Sequence, residues 1–195
     1  TYYDMIHKDC QKDEAADFRV KKYQLDFSVG LNLTGSAKVY VDRSELKSYR
    51  FTLYHGYKVK QVTDQTGAAL DFRREYDYVT VTRGGAAVEY LCLEYTGKSP
   101  KYYSSYAGVC LPANFAYYPI PGYRELFSDN FYGFIDCSLP YDTAFDVRCS
   151  GRKQMYCNLA ARGDNHFAGN AHSITLLSGY YDTLKLNDTL VVYPK

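Results

Sequence analysis

The feature of this sequence that most constrains its fold is an alternation of apolar and polar residues with a period of two. The alternation is clear in "YQLDFSV" (residues 23–29) and in "GSAKVYVD" (residues 35–42), and it recurs in short runs towards the end of the chain. Side chains of a strand point alternately to its two faces, so this period indicates strands that each bury one face. No long run has the period of an amphipathic helix.

About a dozen such runs are separated by turn residues at intervals of about 8 to 12 positions, a pattern typical of an antiparallel all-β domain. The sequence therefore predicts a single antiparallel β-sandwich or saddle-like domain over residues 18–195. Residues 1–17 are polar and are predicted to form a lead-in or a short helix. The run "VEYLCLEYTG" (residues 88–97) has apolar residues on both faces, which predicts a central strand covered on both sides.

The composition limits the partners that this domain is expected to have. Lys and Arg number 23 against 22 Asp and Glu, a formal net charge of +1, so no nucleic acid or anionic membrane is expected as a partner. No window approaches the roughly 18 consecutive apolar residues of a membrane-spanning helix, so no direct membrane insertion is expected. The 23 Tyr and absence of Trp suit a β domain with partly wet surfaces.

The chain contains six cysteines, and none of them forms a C-x-x-C pair, which disfavours zinc ribbons and thioredoxin chemistry. The stretch "VRCSGRKQMYC" reads as two short strands around a turn at Gly151–Gln154. A turn centred on Lys153 would place Cys149 opposite Cys157, so these two residues are the candidate disulfide. Two buried free thiols are the alternative, because cysteine is among the most frequently buried residue types.

The sequence shows no motif for catalysis and no motif for a metal. The four histidines lack an H-E-x-x-H arrangement, and the spacing of His166 and His172 on one strand face is interrupted by Gly169 and Asn170. No G-x-S-x-G elbow is present, and no cysteine has a base adjacent in sequence. No catalytic residue, no metal site and no cofactor are therefore predicted in this stretch.

The order of several strand motifs resembles a known family. The motifs "VKKYQLDFSVG", "LTGSAKVYVD", "FTLYHGYKVKQV", "VEYLCLEYTG" and "FAYYPIPGY", with the tail "HSITLLSGYYDT" and "DTLVVYP", are similar to the amino-terminal domain of M1-family zinc aminopeptidases. The resemblance covers residues 18–195. It implies a saddle-shaped, largely antiparallel β domain that lies against a metalloprotease domain and forms one wall of its substrate cleft. Related domains also occur in the extracytoplasmic part of permease-like bacterial membrane proteins.

The resemblance also directs attention to the aromatic and proline-rich segment at residues 115–125. In the family this segment lies near the cleft wall, which implies that Tyr117, Tyr118, Tyr123 and Arg124 line a surface that contacts a peptide or a neighbouring domain. Proline cannot donate to a β-ladder, so the segment is expected at a sheet edge or at a crossing between sheets. The alternative is that its aromatic rings fill the core at a corner.

This sequence departs from the family in three ways. The family's acidic or Gln residue before the proline segment falls near Cys110, which cannot hold a substrate's amino terminus. The segment "YYPIPGY" also lacks the Asp of the family's "F-P-x-x-D-x-P" pattern, and the catalytic H-E-x-x-H and G-x-M-E-N motifs are absent.

We therefore expect a non-catalytic extracytoplasmic domain that docks to an adjacent domain of its parent chain or shapes a cleft for it, within a larger membrane-attached protein. The first alternative is the substrate-cleft wall of an active zinc aminopeptidase whose catalytic domain lies beyond Lys195. The second is a free-standing module that binds peptides or glycans.

Overall fold

The computed structural model describes residues 14–126, 137–187 and 189–194, and within these ranges the chain contains strands and no helix. The predicted all-β fold is confirmed. The predicted short helix in residues 1–17, together with His7 and Cys10, lies largely or wholly outside the described residues. The strands are β1 (Val20–Val29), β2 (Asn32–Val41), β3 (Ser48–Thr52), β4 (Tyr57–Thr63), β5 (Phe72–Glu75), β6 (Tyr78–Thr82), β7 (Tyr90–Lys98), β8 (Gly108–Leu111), β9 (Ile120–Pro121), β10 (Thr143–Ser150), β11 (Gln154–Cys157), β12 (Ala160–Gly163), β13 (His166–Ala171), β14 (Leu176–Gly179), β15 (Tyr181–Leu186) and β16 (Thr189–Pro194).

The largest element is a seven-stranded sheet with the strand order β12-β13-β10-β1-β2-β7-β4. Its strands pair antiparallel except at β1 and β10, where Lys22–Ser28 aligns in parallel with Ala144–Ser150. The predicted antiparallel arrangement is found at every other pair of this sheet, and this one pair departs from it. Parallel neighbours need a long crossover connection, and here that connection contains all four strands of the sheet β5-β6-β3-β9, strand β8, and β2, β4 and β7 of the large sheet itself.

Three smaller sheets complete the described structure. Their strand orders are β5-β6-β3-β9, β11-β14-β8 and β15-β16. The edge strand β9 is the proline-containing pair Ile120–Pro121, which agrees with the expectation of a sheet edge for this segment. No helix in the described ranges has the length and apolar character needed to span a membrane.

The core lies between the large sheet and the four- and three-stranded sheets. Tyr23, Leu25 and Phe27 of β1 are at most 2% exposed, as the alternation predicts. They belong to one buried cluster with Phe51 of β3 and Leu176 of β14. A single hydrophobic core therefore joins three of the four sheets.

The outer face of β7 is not covered as predicted. Leu91, Leu93 and Tyr95 are buried, but Tyr90 is only half-buried and Glu94 is exposed. The apolar residues on the outer face instead form pairs across strands. The Tyr90 ring lies 4.8 Å from the Tyr40 ring, and the Lys38 ammonium lies 5.5 Å from the Tyr90 ring centroid. Such cross-strand contacts stabilise a sheet without a second layer above it.

Gly35 of β2 makes room for the side chain of Tyr95 in β7. The two residues are cross-strand partners, and a Cβ atom on Gly35 would lie 2.5 Å from the Tyr95 ring. Real Cβ atoms do not approach another atom so closely, so the Tyr95 ring occupies the space that a side chain at residue 35 would need. The fully buried Tyr95 therefore depends on glycine at this position.

Candidate functional site

The aromatic and proline-rich segment is a buried corner over most of its length. Tyr117 and Tyr118 are 0% exposed, so they do not line a binding surface in this structure, and the predicted role in binding is corrected for both. The Tyr117 ring packs 5.7 Å from Phe27, and the Tyr118 ring packs 5.4 Å from Tyr23. The aromatic rings of the corner therefore pack against β1 of the large sheet. Core packing of these rings is the alternative that the sequence left open.

Tyrosine hydroxyl groups donate hydrogen bonds to the backbone carbonyls of this corner. The Tyr23 hydroxyl donates to the carbonyl of Pro119 at 2.8 Å, and the Tyr95 hydroxyl donates to the carbonyl of Tyr117 at 2.9 Å. The Tyr117 hydroxyl in turn donates to the carbonyl of Ile174 at 2.9 Å. Irregular backbone inside a protein needs such partners because a buried carbonyl without a hydrogen bond is costly. Burial raises the pKa of all three tyrosines well above the usual value of 10.

Tyr123 lies at the surface of the four-stranded sheet. Its ring packs 4.6 Å from Tyr78, and its hydroxyl shares a 2.5 Å hydrogen bond with Thr80. The Arg50 guanidinium lies 5.7 Å from the Tyr123 ring centroid and pairs with the carboxylates of Glu14 and Asp17. Glu14 also forms a backbone bridge with Tyr123.

Arg124 follows directly, and its backbone N–H donates to the Thr52 hydroxyl at 2.7 Å. Tyr123 and Arg124 are both half-buried. We call these two residues with Arg50 the edge cluster. The structure brings Tyr123 and Arg124 to one surface, away from the buried Tyr117 and Tyr118, and their binding role stays a prediction.

The two histidines weighed as metal ligands have separate partners. His166 Nε2 lies 2.9 Å from the Asp146 carboxylate, whereas His172 Nδ1 lies 2.8 Å from the carbonyl of Leu139 and its Nε2 lies 3.3 Å from Asp142. In the part of the chain that the structure describes, no group of three His, Cys, Asp or Glu residues is placed to hold a metal ion.

The two cysteines of the candidate disulfide lie in different sheets. Cys149 is in β10 and Cys157 is in β11, and the predicted hairpin between these strands is wrong because β10 pairs with β1 and β13 while β11 pairs with β14. Both carry free thiols in this structure. Burial raises the pKa of Cys149 to about 12, with a smaller contribution from nearby Cys157, and burial raises the pKa of Cys157 to about 11. The disulfide itself stays a prediction.

Strands β15 and β16 form a two-stranded sheet with a markedly apolar face. Leu184 pairs with Val191, and Leu186 and Tyr193 lie on the same face by the register of the pairing. Leu184, Leu186, Val191 and Tyr193 are 49%, 54%, 37% and 45% exposed, and we call this surface the hairpin face. On the opposite side of the hairpin the Tyr181 ring packs 5.9 Å from Tyr156 of β11, so the hairpin contacts the three-stranded sheet there.

Exposure of the hairpin face could not be read from the sequence. The residues "DTLKLN" alternate as in any half-buried strand, so they predict a buried face for Leu184 and Leu186. Period-two alternation identifies a face that needs cover and does not identify what covers it. The nearest signal in the sequence is the run "LVVY", whose consecutive apolar residues place hydrophobic side chains on both faces of β16.

Comparison with known proteins gives a match in structure only. No protein-family model matches the sequence, and no curated protein matches it. The M1 zinc metallopeptidase from Deinococcus radiodurans matches with a TM-score of 0.56 and 14% sequence identity, over 91% of this chain and 47% of that chain. A variant of that enzyme bound to a Tyr-Ser-Ala substrate matches with the same values.

A third solved structure, yeast leukotriene A4 hydrolase in complex with bestatin, matches with a TM-score of 0.60 and 13% identity, over 90% of this chain and 31% of that chain. This chain therefore spans about half the length of the M1 enzymes that it matches, and less of the yeast hydrolase. The matches fall on the amino-terminal domain of the M1 enzymes, and the predicted resemblance is confirmed at the level of the fold.

Proposed function

We propose that this chain, which has the fold of the amino-terminal domain of M1 zinc metallopeptidases, is a non-catalytic module that docks to an adjacent domain and shapes one wall of a cleft there. The observation that carries the proposal is the hairpin face, with four large apolar side chains exposed on one side of a two-stranded sheet. A two-stranded hairpin is marginally stable in water without packing against another element. A partner that covers the hairpin face removes this weakness.

The energetics favour association at the hairpin face. Fully burying a Leu or Val side chain contributes about 1.5–3 kcal/mol, so burying what remains exposed of such side chains contributes on the order of 1 kcal/mol each. The solved structures with this fold support an adjacent domain as the partner, because the matched region is only 31–48% of each of those chains. In those proteins the β domain is one part of a longer polypeptide.

In this proposal the edge cluster forms part of the wall of a cleft that binds a peptide. Tyr123 supplies a half-buried aromatic ring, and Arg124 supplies a half-buried guanidinium group, beside the edge strand β9 of the four-stranded sheet. A ring beside a cation suits the polar backbone and the carboxylate of a peptide. An extracytoplasmic location belongs to the same proposal, and a disulfide between Cys149 and Cys157, which are free thiols in this structure, would support it.

Hydrogen exchange tests the docking proposal. We expect the amides of residues 181–194 to exchange much more slowly in the full-length parent protein than in the 195-residue chain alone, because docking covers the hairpin. The double variant Leu184→Ser/Leu186→Ser should restore fast exchange in the parent. The matched control is Leu31→Ser, a 47% exposed leucine between β1 and β2 that lies outside the hairpin. Equal exchange of the hairpin in both proteins would overturn the proposal.

A second candidate function is the substrate-cleft wall of an active zinc aminopeptidase. The solved structures named as M1 zinc metallopeptidases, one with a Tyr-Ser-Ala substrate, support this candidate through the fold. Zinc content and aminopeptidase activity of the full-length parent test it. In an active parent, Tyr123→Ala and Arg124→Ala should raise KM with a smaller change in kcat. A parent without bound zinc and without activity would leave docking as the function.

A third candidate is a free-standing module for peptides or glycans. The observation that favours it is a group of three strongly exposed tyrosines, Tyr102, Tyr106 and Tyr180. Titration of the isolated chain with ligands tests it, and saturable binding without any partner domain is the expected result.

A further inference from the structure

Three tyrosine rings project into solvent at one end of the three-stranded sheet. Tyr102, Tyr106 and Tyr180 are 71%, 85% and 68% exposed. The Lys153 ammonium connects two of them, because it donates a hydrogen bond to the carbonyl of Tyr106 and lies 4.9 Å from the centroid of the Tyr180 ring. We call these three rings with Lys153 the tyrosine platform.

The loop that carries Tyr106 is ordered by its own hydrogen bonds. The Ser105 hydroxyl accepts from the backbone N–H of Ala107 at 3.2 Å and of Gly108 at 3.4 Å, and the Ser105 N–H donates to the carbonyl of Gly108 at 2.9 Å. These bonds close a tight turn with Tyr106 at its tip. A ring presented by a closed turn loses less conformational entropy on binding than one presented by a loose loop.

Tyr102 is held by the core at the base of the same loop. Its ring packs 4.4 Å from Tyr103, whose ring packs 4.8 Å from Phe115 in the core cluster. The Tyr103 N–H donates to the carbonyl of Pro100 at 2.9 Å, and the Cys110 N–H donates to the carbonyl of Tyr103 at 2.8 Å. The backbone that carries Tyr102 and Tyr106 is therefore ordered by hydrogen bonds, while most of each ring is exposed.

Beside the platform is a depression of about 370 Å³. This volume lies in the range of about 300–1,000 Å³ that is usual for small-molecule sites and is small for a protein docking surface. Tyrosine with serine and glycine is the composition of adaptable polar binding surfaces, since the ring supplies contact area and the small residues supply hydrogen bonds. The polar and aromatic side chains that line the depression include those of Lys101, Tyr102, Ser104, Ser105 and Tyr180.

We propose that the tyrosine platform and this depression form a binding site for an acidic saccharide. A pyranose ring has an apolar C–H face that can stack on tyrosine, and its hydroxyl groups can bond to tyrosine and serine hydroxyls. Lys101 and Lys153 add two positive charges, which attract a carboxylate or sulfate on the sugar and disfavour cationic ligands. This proposal rests on the third candidate function, a binding module for glycans, and the site is separate from the hairpin face and does not depend on the docking function.

Isothermal titration of the 195-residue chain with tetragalacturonate, and with its fully methyl-esterified form, tests this site. The two probes have the same sugar backbone and differ in charge. We expect the acid to bind, the ester to bind more weakly, and binding of the acid to weaken as salt is added. Tyr106→Ala and Tyr180→Ala should each lower the affinity about fivefold to tenfold, because each removes one stacking face.

Further variants separate stacking from charge. Tyr106→Phe keeps the stacking face and should retain most of the affinity, whereas Lys153→Gln should reduce the preference for the acid over the ester, since Lys101 remains. Leu31→Ala, outside the platform, should bind as the unsubstituted chain does.

Failure of both probes to bind, or binding that the tyrosine variants leave unchanged, would overturn the proposal. So would a platform that binds no saccharide and instead becomes protected in the full-length parent. None of these results bears on exchange at the hairpin face, so the docking proposal stands or fails separately.

Discussion

The buried tyrosines of this domain serve as hydrogen-bond donors as well as core residues. The segment around Pro119 and Pro121 crosses the interior without a regular ladder, so its carbonyls need partners that lie inside the core. Tyr23 and Tyr95 reach these carbonyls from β1 and β7 with their hydroxyl groups. Phenylalanine would fill the same volume and leave the carbonyls unpaired. This requirement accounts for part of the domain's high tyrosine content.

The corner offers a matched pair of single-atom substitutions. Tyr117→Phe removes the donor to the carbonyl of Ile174, and we expect the free energy of unfolding to fall by about 1–2 kcal/mol. Tyr118→Phe removes a buried hydroxyl that makes no hydrogen bond of normal geometry in the described structure and interacts only weakly with the backbone of Ile174, so stability should stay within about 0.5 kcal/mol. Urea unfolding of both variants measures the difference. An equal loss in the two variants would show that this hydrogen bond does not stabilise the corner.

The predicted site residues divide according to burial, which the sequence pattern could not resolve. Tyr117 and Tyr118 are adjacent, so an alternating pattern would bury only one of them, yet both are buried because the backbone at this corner is irregular. Tyr123 and Arg124 lie past the β9 edge and remain near the surface. A motif match places a segment near a cleft and does not determine which of its side chains point outward.

At the scale of elements, the alternation of apolar and polar residues predicted the inner strands correctly because one face of each of these strands is buried. The pairing partners of β10 and β11 could not be predicted in this way. The sequence around Gly151 suggested that the two strands form a hairpin, but they lie in two different sheets. Pairing between strands that are distant in sequence leaves no mark in the period of either strand. The outer face of β7 shows the same limit, because cross-strand contact with Tyr40 satisfies Tyr90 without a covering layer.

The close contact between Gly35 of β2 and Tyr95 of β7 leads to a second prediction about stability. Gly35→Ala places a Cβ atom 2.5 Å from the buried Tyr95 ring, so the ring or the strand must shift. We expect the free energy of unfolding to fall by about 1–3 kcal/mol, the usual cost of overpacking a core.

Gly30→Ala is the matched control for this substitution. The nearest atom to a Cβ there is the Asn32 carbonyl oxygen at 3.6 Å, so the change should stay within about 0.5 kcal/mol. Thermal or urea unfolding compares the two variants. If Gly35→Ala proves as stable as the control, the Tyr95 ring has another place to pack.

At the scale of the whole molecule, the buried tyrosines determine how the domain responds to alkali. Burial raises the pKa of Tyr23, Tyr95 and Tyr117 well above 10 and raises that of Tyr54 to about 12. Between pH 10 and the folded-state values the unfolded chain has lost these protons and the folded chain keeps them. Stability is therefore fully present below about pH 10 and falls as the pH rises further.

Unfolding midpoints in urea between pH 8 and pH 11.5 measure this dependence, and absorbance at 295 nm reports tyrosinate formation. We expect a constant midpoint up to about pH 10 and a steep fall above it, with the part of the tyrosinate signal that comes from the buried tyrosines appearing together with unfolding. A midpoint that is level through pH 11.5 would contradict this account.

The candidate disulfide would join the large sheet to the three-stranded sheet. If Cys149 and Cys157 are bridged in the isolated protein, four of the six cysteines should react with a thiol reagent in denaturant without reductant. All six should react after reduction, and a short loop of this kind should contribute roughly 2 kcal/mol to stability.

The double variant Cys149→Ser/Cys157→Ser provides the control for this count, since four thiols are then expected under both conditions. Six reactive thiols in the unreduced, unsubstituted protein would exclude the bridge. They would also remove one support for the proposed extracytoplasmic location.

The parallel pairing of β1 with β10 has a consequence for how this chain is made. Strand β2 can pair with β1 as soon as β2 leaves the ribosome. The other neighbour of β1, strand β10, ends at Ser150, about 120 residues after the end of β1. At a synthesis rate of about 5–20 residues per second, one edge of β1 stays open for roughly 6–24 s. During translation this edge can pair with other nascent strands. Occupancy by a ribosome-associated chaperone should therefore be highest between the emergence of β2 and the emergence of β10.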